Sequence, residues 1–248
     1  MDLVSVIIPY FKKKKYISET INSVLNQSYE NLEILIIYDD DCFKDLDFLE
    51  EIKKKDKRIS IIKNQKNLGA GTSRNIGISK SKGKYLAFLD ADDIWKPNKL
   101  DRQITFMRSK NCDATHTSYL IINEFKEVIG KRTARTFSKL NELLKSCDIG
   151  TSTIIIKRDL ISEKIKFPPL ATKEDFVFWL KLLKENVKIH GLDEELTLWT
   201  KSKSSLSSST LRKLIDGFKV YNKYMKFNFI KSFYYLICLS INFLLKNK

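Results

Sequence analysis

The sequence predicts an α/β protein, with a mostly parallel sheet flanked by helices and a helical C-terminal extension. Three observations predict it. Apolar runs alternate with helical patterns through the first 90 residues, the order expected of a parallel sheet with helices on both faces. Those runs are continuous rather than alternating, which fits strands buried on both sides. Near residue 200 the pattern gives way to a polar run and then to basic, aromatic-rich segments. The expected division is a catalytic unit over 1–200 and an extension over 201–248.

The elements follow in order. Residues 3–8 (LVSVII) read as a buried strand. Ser18 is placed to cap a helix whose apolar positions Ile21, Val24 and Leu25 share one face. Residues 34–38 (ILIIY) form a second strand, 46–54 a helix and 59–62 a third strand. A glycine-containing turn opens a helix over 70–79, and 85–89 (YLAFL) form a fourth strand. Beyond it, 99–109 and 175–185 look helical, and 114–122 and 152–156 look like strands. The run 201–210 (KSKSSLSSST) reads as a loop or mobile lid.

Composition narrows the function classes. The 248 residues are 43% hydrophobic and 30% charged, as in globular proteins, and too apolar for a disordered chain. Two histidines and four separated cysteines exclude a His-rich zinc site and any C-x-x-C pair. A bound metal must therefore rely on carboxylates. The N-terminus lacks a basic, signal-like segment, and the cysteines look free, so a cytoplasmic protein is expected. Of the net charge of +15, residues 201–248 carry +9, which points to an anionic surface or to solvated lysines.

Ligand sites in open parallel sheets lie at the carboxyl ends of the strands. Two acidic clusters stand there: Asp39-Asp40-Asp41 and Asp90-Ala91-Asp92-Asp93. In extended chain, residues i and i+2 point the same way, so Asp90 and Asp92 can share one ligand. Two close carboxylates repel unless a cation sits beside them. A hard divalent ion, Mn2+ or Mg2+, held by carboxylates and substrate phosphates fits that pattern. Capping of a helix near Trp95 by Asp92 or Asp93 is the plainer alternative, but a cap needs one acid. Gly69-Ala70-Gly71 fails the dinucleotide spacing, because Arg74 stands where the third glycine belongs. Arg74 is a candidate for a phosphate or base contact, and Glu174-Asp175 open a helix.

Together, SVIIPYF, SVLNQSYENLEILIIYDD, NLGAGTSRNIGISKSKGKYLAFLDADDIW and KEDFVFWLKL resemble family 2 glycosyltransferases of the GT-A fold. The likeness runs in order over about residues 3–200. It implies an inverting transfer of a sugar from a nucleotide-sugar, a UDP-sugar by the motifs, to a hydroxyl acceptor. It further implies that Asp39 contacts the uridine base and that Pro9 and Phe11 flank it. Arg74 would face the nucleotide, and Asp90-Ala91-Asp92 would form the D-x-D, with Asp92 the direct metal ligand. Asp175 would be the catalytic base, with Glu174 its rival. Two departures stand out. Tyr38 replaces the first acid of the family's Asp-Asp-Gly-Ser, and the Gln-x-x-Arg-Trp signature of processive synthases is absent. The second argues for adding one sugar rather than polymerising.

The last segment, 227–245, is apolar and aromatic with one charge, Lys231. Lys213, Lys219, Lys223 and Lys226 precede it. It reads either as an interfacial anchor on anionic lipid or as a helix packed on the core. An anchor suits a glycan or lipid-linked glycan acceptor of surface polysaccharide or lipooligosaccharide, at the inner face of the cell membrane. Two competing expectations remain. A nucleotidyltransferase needs a glycine-rich phosphate loop after the first strand, where PYFKKKK has none. A nucleic-acid-binding module leaves the strand-end acids unexplained, so no nucleic acid is expected.

Overall fold

A computed structural model describes residues 1–201 and 210–245. One nine-stranded sheet runs through it. The strands are β1 (Val4–Tyr10), β2 (Leu32–Tyr38), β3 (Ile59–Lys63), β4 (Tyr85–Phe88), β5 (Ile94–Trp95), β6 (Ala114–Ile122), β7 (Val128–Arg132), β8 (Ile155–Lys157) and β9 (Ile189–Thr200). The order is β3-β2-β1-β4-β8-β6-β9-β5, with β7 paired to β6. The four strands β3-β2-β1-β4 are parallel. Antiparallel β8 joins β4 to β6, and β6 and β9 run parallel to each other.

The continuous apolar strands are buried on both faces. Val4, Val6 and Ile8 of β1 pack into one core cluster, and Ile7 packs into the other. On the first side lie α1 (Lys14–Leu25), α2 (Phe43–Lys53) and α4 (Lys99–Ser109), through Ile17, Ile21, Leu49, Leu100 and Ile104. On the other lie α3 (Ala70–Lys80) and α6 (Glu174–Lys184), the latter buried from Phe176 through Leu180. The short α5 (Leu140–Leu143) precedes a 3-10 turn at Thr151–Thr153.

The C-terminal residues share that second core. Helix α7 (Thr210–Lys219) runs into a π-helical turn at Val220–Tyr224, and α8 (Phe229–Leu245) follows. Val220, Tyr221, Met225 and Leu239 are buried with Phe176. The Tyr221 hydroxyl donates to the Leu144 carbonyl at 2.7 Å. Of the run 201–210 expected to be a loop or lid, 202–209 lie outside the described residues.

Several local expectations need correction. Ser18 caps nothing: α1 begins at Lys14, because its buried stripe starts a turn earlier, at Ile17. Neither Asp92 nor Asp93 caps a helix, since β5 follows them and α4 starts only at Lys99. The helix expected over 46–54 starts at Phe43. The strand expected over 152–156 begins only at Ile155. Ser152 is instead held in the turn, where its carbonyl accepts from the Trp95 indole at 2.7 Å and the Thr197 hydroxyl at 3.3 Å. Strands β5, β7 and β9 had no expectation. Breaks in the β6–β9 register at Thr117–Tyr119 blur the period of β9.

One buried group in β6 makes stability depend on pH. His116 is 1% exposed, and its Nε2 lies 2.8 Å from the Arg135 carbonyl, so Nε2 carries the proton. Burial lowers its pKa to about 4. The unfolded chain protonates below about pH 6.5, and the folded chain only near 4. Stability from this group is therefore complete above 6.5 and lost as pH falls towards 4, by up to about 3 kcal/mol. Urea unfolding should show it as a gap between parent and His116→Gln that narrows from pH 7 to pH 4. A gap independent of pH would remove His116 as the cause.

Candidate active site

The loops at the carboxyl ends of β1, β2 and β4 contact one another and the start of α3, and Arg74 of α3 reaches Glu174 at the start of α6. Asp39 follows β2 and is 3% exposed. Its Oδ1 accepts from the Asn64 amide at 2.7 Å and the Leu68 N–H at 2.8 Å, and its Oδ2 accepts from the Gly69 N–H at 2.8 Å. The carboxylate thus sits at the N-terminus of α3, where the helix dipole favours negative charge. Oδ2 has one donor, so it retains acceptor capacity. Gly69 has φ +82°, a conformation that a side chain would strain. The neighbouring Asp40 accepts from the Lys12 N–H at 2.9 Å.

Tyr38, which replaces an acid, turns inward. Its ring stacks on Tyr10 at 5.3 Å, and its hydroxyl donates to the Cys42 carbonyl. Pro9 lies inside β1, in register with Ile37 of β2, and Phe11 is half-buried just beyond the strand.

The acids after β4 take separate partners. The chain turns at once, with the Asp93 N–H donating to the Asp90 carbonyl at 3.0 Å. The extended i, i+2 geometry therefore does not hold there. Asp90 accepts from Arg74 at 2.6 Å, while Asp92 lies 2.6 Å from the Lys13 ammonium. Ala91 is buried, and its carbonyl accepts from the Thr20 hydroxyl at 3.1 Å. Asp93 is fully buried, accepting from the Thr200 N–H at 2.9 Å and from the Ser152 hydroxyl. Burial, then Asp92 and Asp90, push its pKa well above the usual carboxylate range. Burial also raises Asp92, and Lys13 pulls it part of the way back.

Arg74 joins this cluster to α6. Its guanidinium is 4% exposed, donating to Asp90 on one side and to Glu174 at 2.8 Å on the other. The ring of Phe167 lies 5.4 Å beneath it. Burial opposes the Arg74 charge, but Asp90 and Glu174 outweigh it and hold its pKa above the ordinary value. Burial pushes Glu174 up to about 7, against the pull of Arg74. Asp175, next along α6, accepts from the Thr151 hydroxyl at 3.2 Å and the Phe176 N–H at 2.7 Å. It is half-buried, so a substrate hydroxyl can reach it.

Among the described residues, no group of three or more His, Cys, Asp or Glu is placed to hold a metal. The two acids still fit a hard divalent ion. They offer oxygen donors, and Asp92 already carries a cation, the Lys13 ammonium. Two carboxylates completed by substrate phosphates are a sufficient set for such an ion.

Sequence reasoning brought Arg74, Asp90 and Glu174 to one place without foreseeing that they form one ion-paired chain. It missed Lys13, although the lysine run after β1 was visible. It also missed Asn64, Thr151 and Ser152, which no motif marks. Close packing holds the chain together. A Cβ on Gly71 would meet the Pro168 carbonyl at 2.7 Å and the Glu174 Cγ at 3.1 Å. Gly71→Ala is therefore expected to push α3 from the 168–174 segment, costing about 1–3 kcal/mol and lowering turnover. Urea unfolding and an activity assay check both, and an unchanged midpoint would mean that the segment yields freely.

The glycosyl transferase family 2 model matches residues 5–163. The UDP-Glc:alpha-D-GlcNAc-diphosphoundecaprenol beta-1,3-glucosyltransferase WfgD of Escherichia coli is 35% identical over 95% of this chain and 91% of its own. Crystalline S. aureus TarS 1–349, in complex with UDP-GlcNAc, superposes with a TM-score of 0.73 at 23% identity, over 90% of this chain and 65% of that one. The mannosyltransferase PcManGT of Pyrobaculum calidifontis, in complex with GDP-Man and Mn2+, gives 0.68 at 13% identity, over 91% and 64%. These likenesses show the GT-A fold. With well over half the chain matched by the family model and a relative aligned nearly end to end, this protein belongs to glycosyl transferase family 2 and is a glycosyltransferase.

Proposed function

We propose that the protein moves one sugar from a UDP-sugar, with inversion, to a hydroxyl of a glycan or lipid-linked glycan acceptor in surface polysaccharide synthesis. The observation that carries this is the chain Asp90–Arg74–Glu174. It fixes Asp90, one of the strand-end acids that would hold a cation facing the leaving diphosphate, against the helix that presents Asp175. The name of the aligned relative, with its UDP-Glc donor and diphosphoundecaprenol acceptor, supports the donor and acceptor classes. Residues 1–200 would form the catalytic unit.

In this reading, Pro9, Phe11 and Asp39 take the uracil end of the donor. Asp92, with Asp90 beside it, would hold a divalent ion, and that ion would supply positive charge where negative charge develops on the departing diphosphate. Lys13 would release Asp92 and turn to phosphate. Asp175 takes the proton of the acceptor hydroxyl as that oxygen attacks the anomeric carbon from the face opposite the leaving group. Glu174 holds Arg74 in place.

Calorimetric binding of UDP, with GDP and CMP as controls and with or without Mn2+, tests the donor side. Mn2+-dependent binding of UDP alone is the expected result. Binding of GDP alone would keep the enzyme class and change the donor. No UDP binding under either condition would remove the uridine reading.

A further inference from the structure

Helix α8 is apolar on both sides. Its inner side is spent on the fold: Ser232 and Leu239 are buried, and Tyr235 and Leu236 pack on the main core. Its outer side carries Ile230, Phe233, Tyr234, Ile237, Ile241 and Leu244, all exposed. At about 100° per residue these six fall on one stripe opposite the packed one. Ile230 is 81% exposed, and none of the six is less than 44% exposed. Helix α7 adds exposed Leu211, Leu214 and Ile215. Elsewhere, among the described residues, the exposed large apolar side chains are Met1, Phe43 and a hairpin group of Phe125, Val128 and Ile129. A contiguous stripe of this kind marks an interaction surface.

Charge selects the occupant. Between residues 210 and 245 the cations are Arg212, Lys213, Lys219, Lys223, Lys226 and Lys231, and the one acid is Asp216. Asp216 is 4% exposed and turned inward, where it accepts from the Thr172 N–H and hydroxyl at 3.2 Å and pairs with Lys219 at 3.1 Å. Lys223, Lys226 and Lys231 are exposed, so the surface of 210–245 carries cations and apolar groups with no exposed acid of its own. A second copy of this chain would bring the same cations against themselves. An anionic lipid surface satisfies both features, taking the apolar stripe below its headgroups and the lysines at them. Helix α8 cannot cross instead: no helix among the described residues is long and apolar enough to span a membrane.

We propose that the outer stripe of α8, with the lysines around it, docks flat on an anionic membrane. The proposal deepens the lipid-linked acceptor reading above.

Flotation of the full chain with vesicles tests it, using phosphatidylglycerol mixed into phosphatidylcholine against phosphatidylcholine alone. The expected result is binding to the anionic vesicles, weakened by salt. The variant Ile230→Ser/Phe233→Ser/Ile237→Ser should lower the bound fraction by at least ~10-fold. All three side chains are exposed, so its circular dichroism and its UDP calorimetry should match the parent. Equal binding by parent and variant would overturn the proposal. So would absence of vesicle binding, and light scattering that shows a parent dimer and a variant monomer would then assign the stripe to self-association. UDP binding is read without vesicles, so failure of the donor reading is told apart from failure of the docking.

Discussion

Arg74→Met should cost about 3–5 kcal/mol of stability at pH 8, the usual penalty for stranding one partner of a buried ion pair. Arg74 is the shared cation of two carboxylates, and Glu174 is the more enclosed of them, 12% exposed against 32% for Asp90. Without the guanidinium, Glu174 has no opposing charge for a carboxylate that burial already pushes up to about 7. The pH dependence follows by sign. A carboxyl whose folded pKa lies above its unfolded value favours folding less as pH rises between the two, here from about 4.5 to about 7. The parent therefore loses some stability over that window. In Arg74→Met the window should widen upwards, so the variant's deficit should shrink at pH 5.5 and grow at pH 8. Urea midpoints at both values check this. The double variant Arg74→Met/Glu174→Gln should recover much of the deficit at pH 8, because neither charge is then left buried. A deficit equal at both values, unrelieved in the double variant, would mean that packing on Phe167 rather than charge fixes the arginine.

The sheet was legible because burial on both faces writes continuous apolar runs, and β1, β2 and β4 could not hide. The acids at the ends of β2 and β4 were legible for the same reason: polar groups that break such runs stand at the strand ends, where sites lie. What escaped were contacts made by single polar residues across long separations. Ser152 binds the turn at Asp90 and Asp93, but a serine between two threonines leading into Ile154–Ile156 reads as the start of the strand. Lys99 is buried over the Trp95 ring at 4.0 Å and bonded to Gln103 at 2.8 Å, but a lysine at a helix start reads as solvated. Lys13 was one of four lysines, and only the fold tells which of them reaches Asp92. The tail escaped in a different way. Its apolar composition was plain, yet composition could not divide α8 into a packed side and an exposed one. That division depends on where Ser232 and Leu239 meet the core.

Asp175→Asn should abolish most transfer while leaving donor binding intact. The amide keeps the size of the side chain, and its oxygen can still accept from the Phe176 N–H, so the start of α6 should hold. What it loses is basicity. A positioned general base contributes roughly 10²–10⁴-fold, so kcat should fall by that factor, with the affinity for UDP within about twofold of the parent. Glu174→Gln separates the two neighbouring acids. Glu174 is committed to Arg74, so its variant should disturb the arginine, and with it UDP or metal binding, before it disturbs proton transfer. Calorimetry on both variants beside a transfer assay reads the split. If Asp175→Asn kept kcat within tenfold of the parent while Glu174→Gln lost it with UDP binding unchanged, the base would be Glu174, and its pKa near 7 would then be the property that suits it to take a proton.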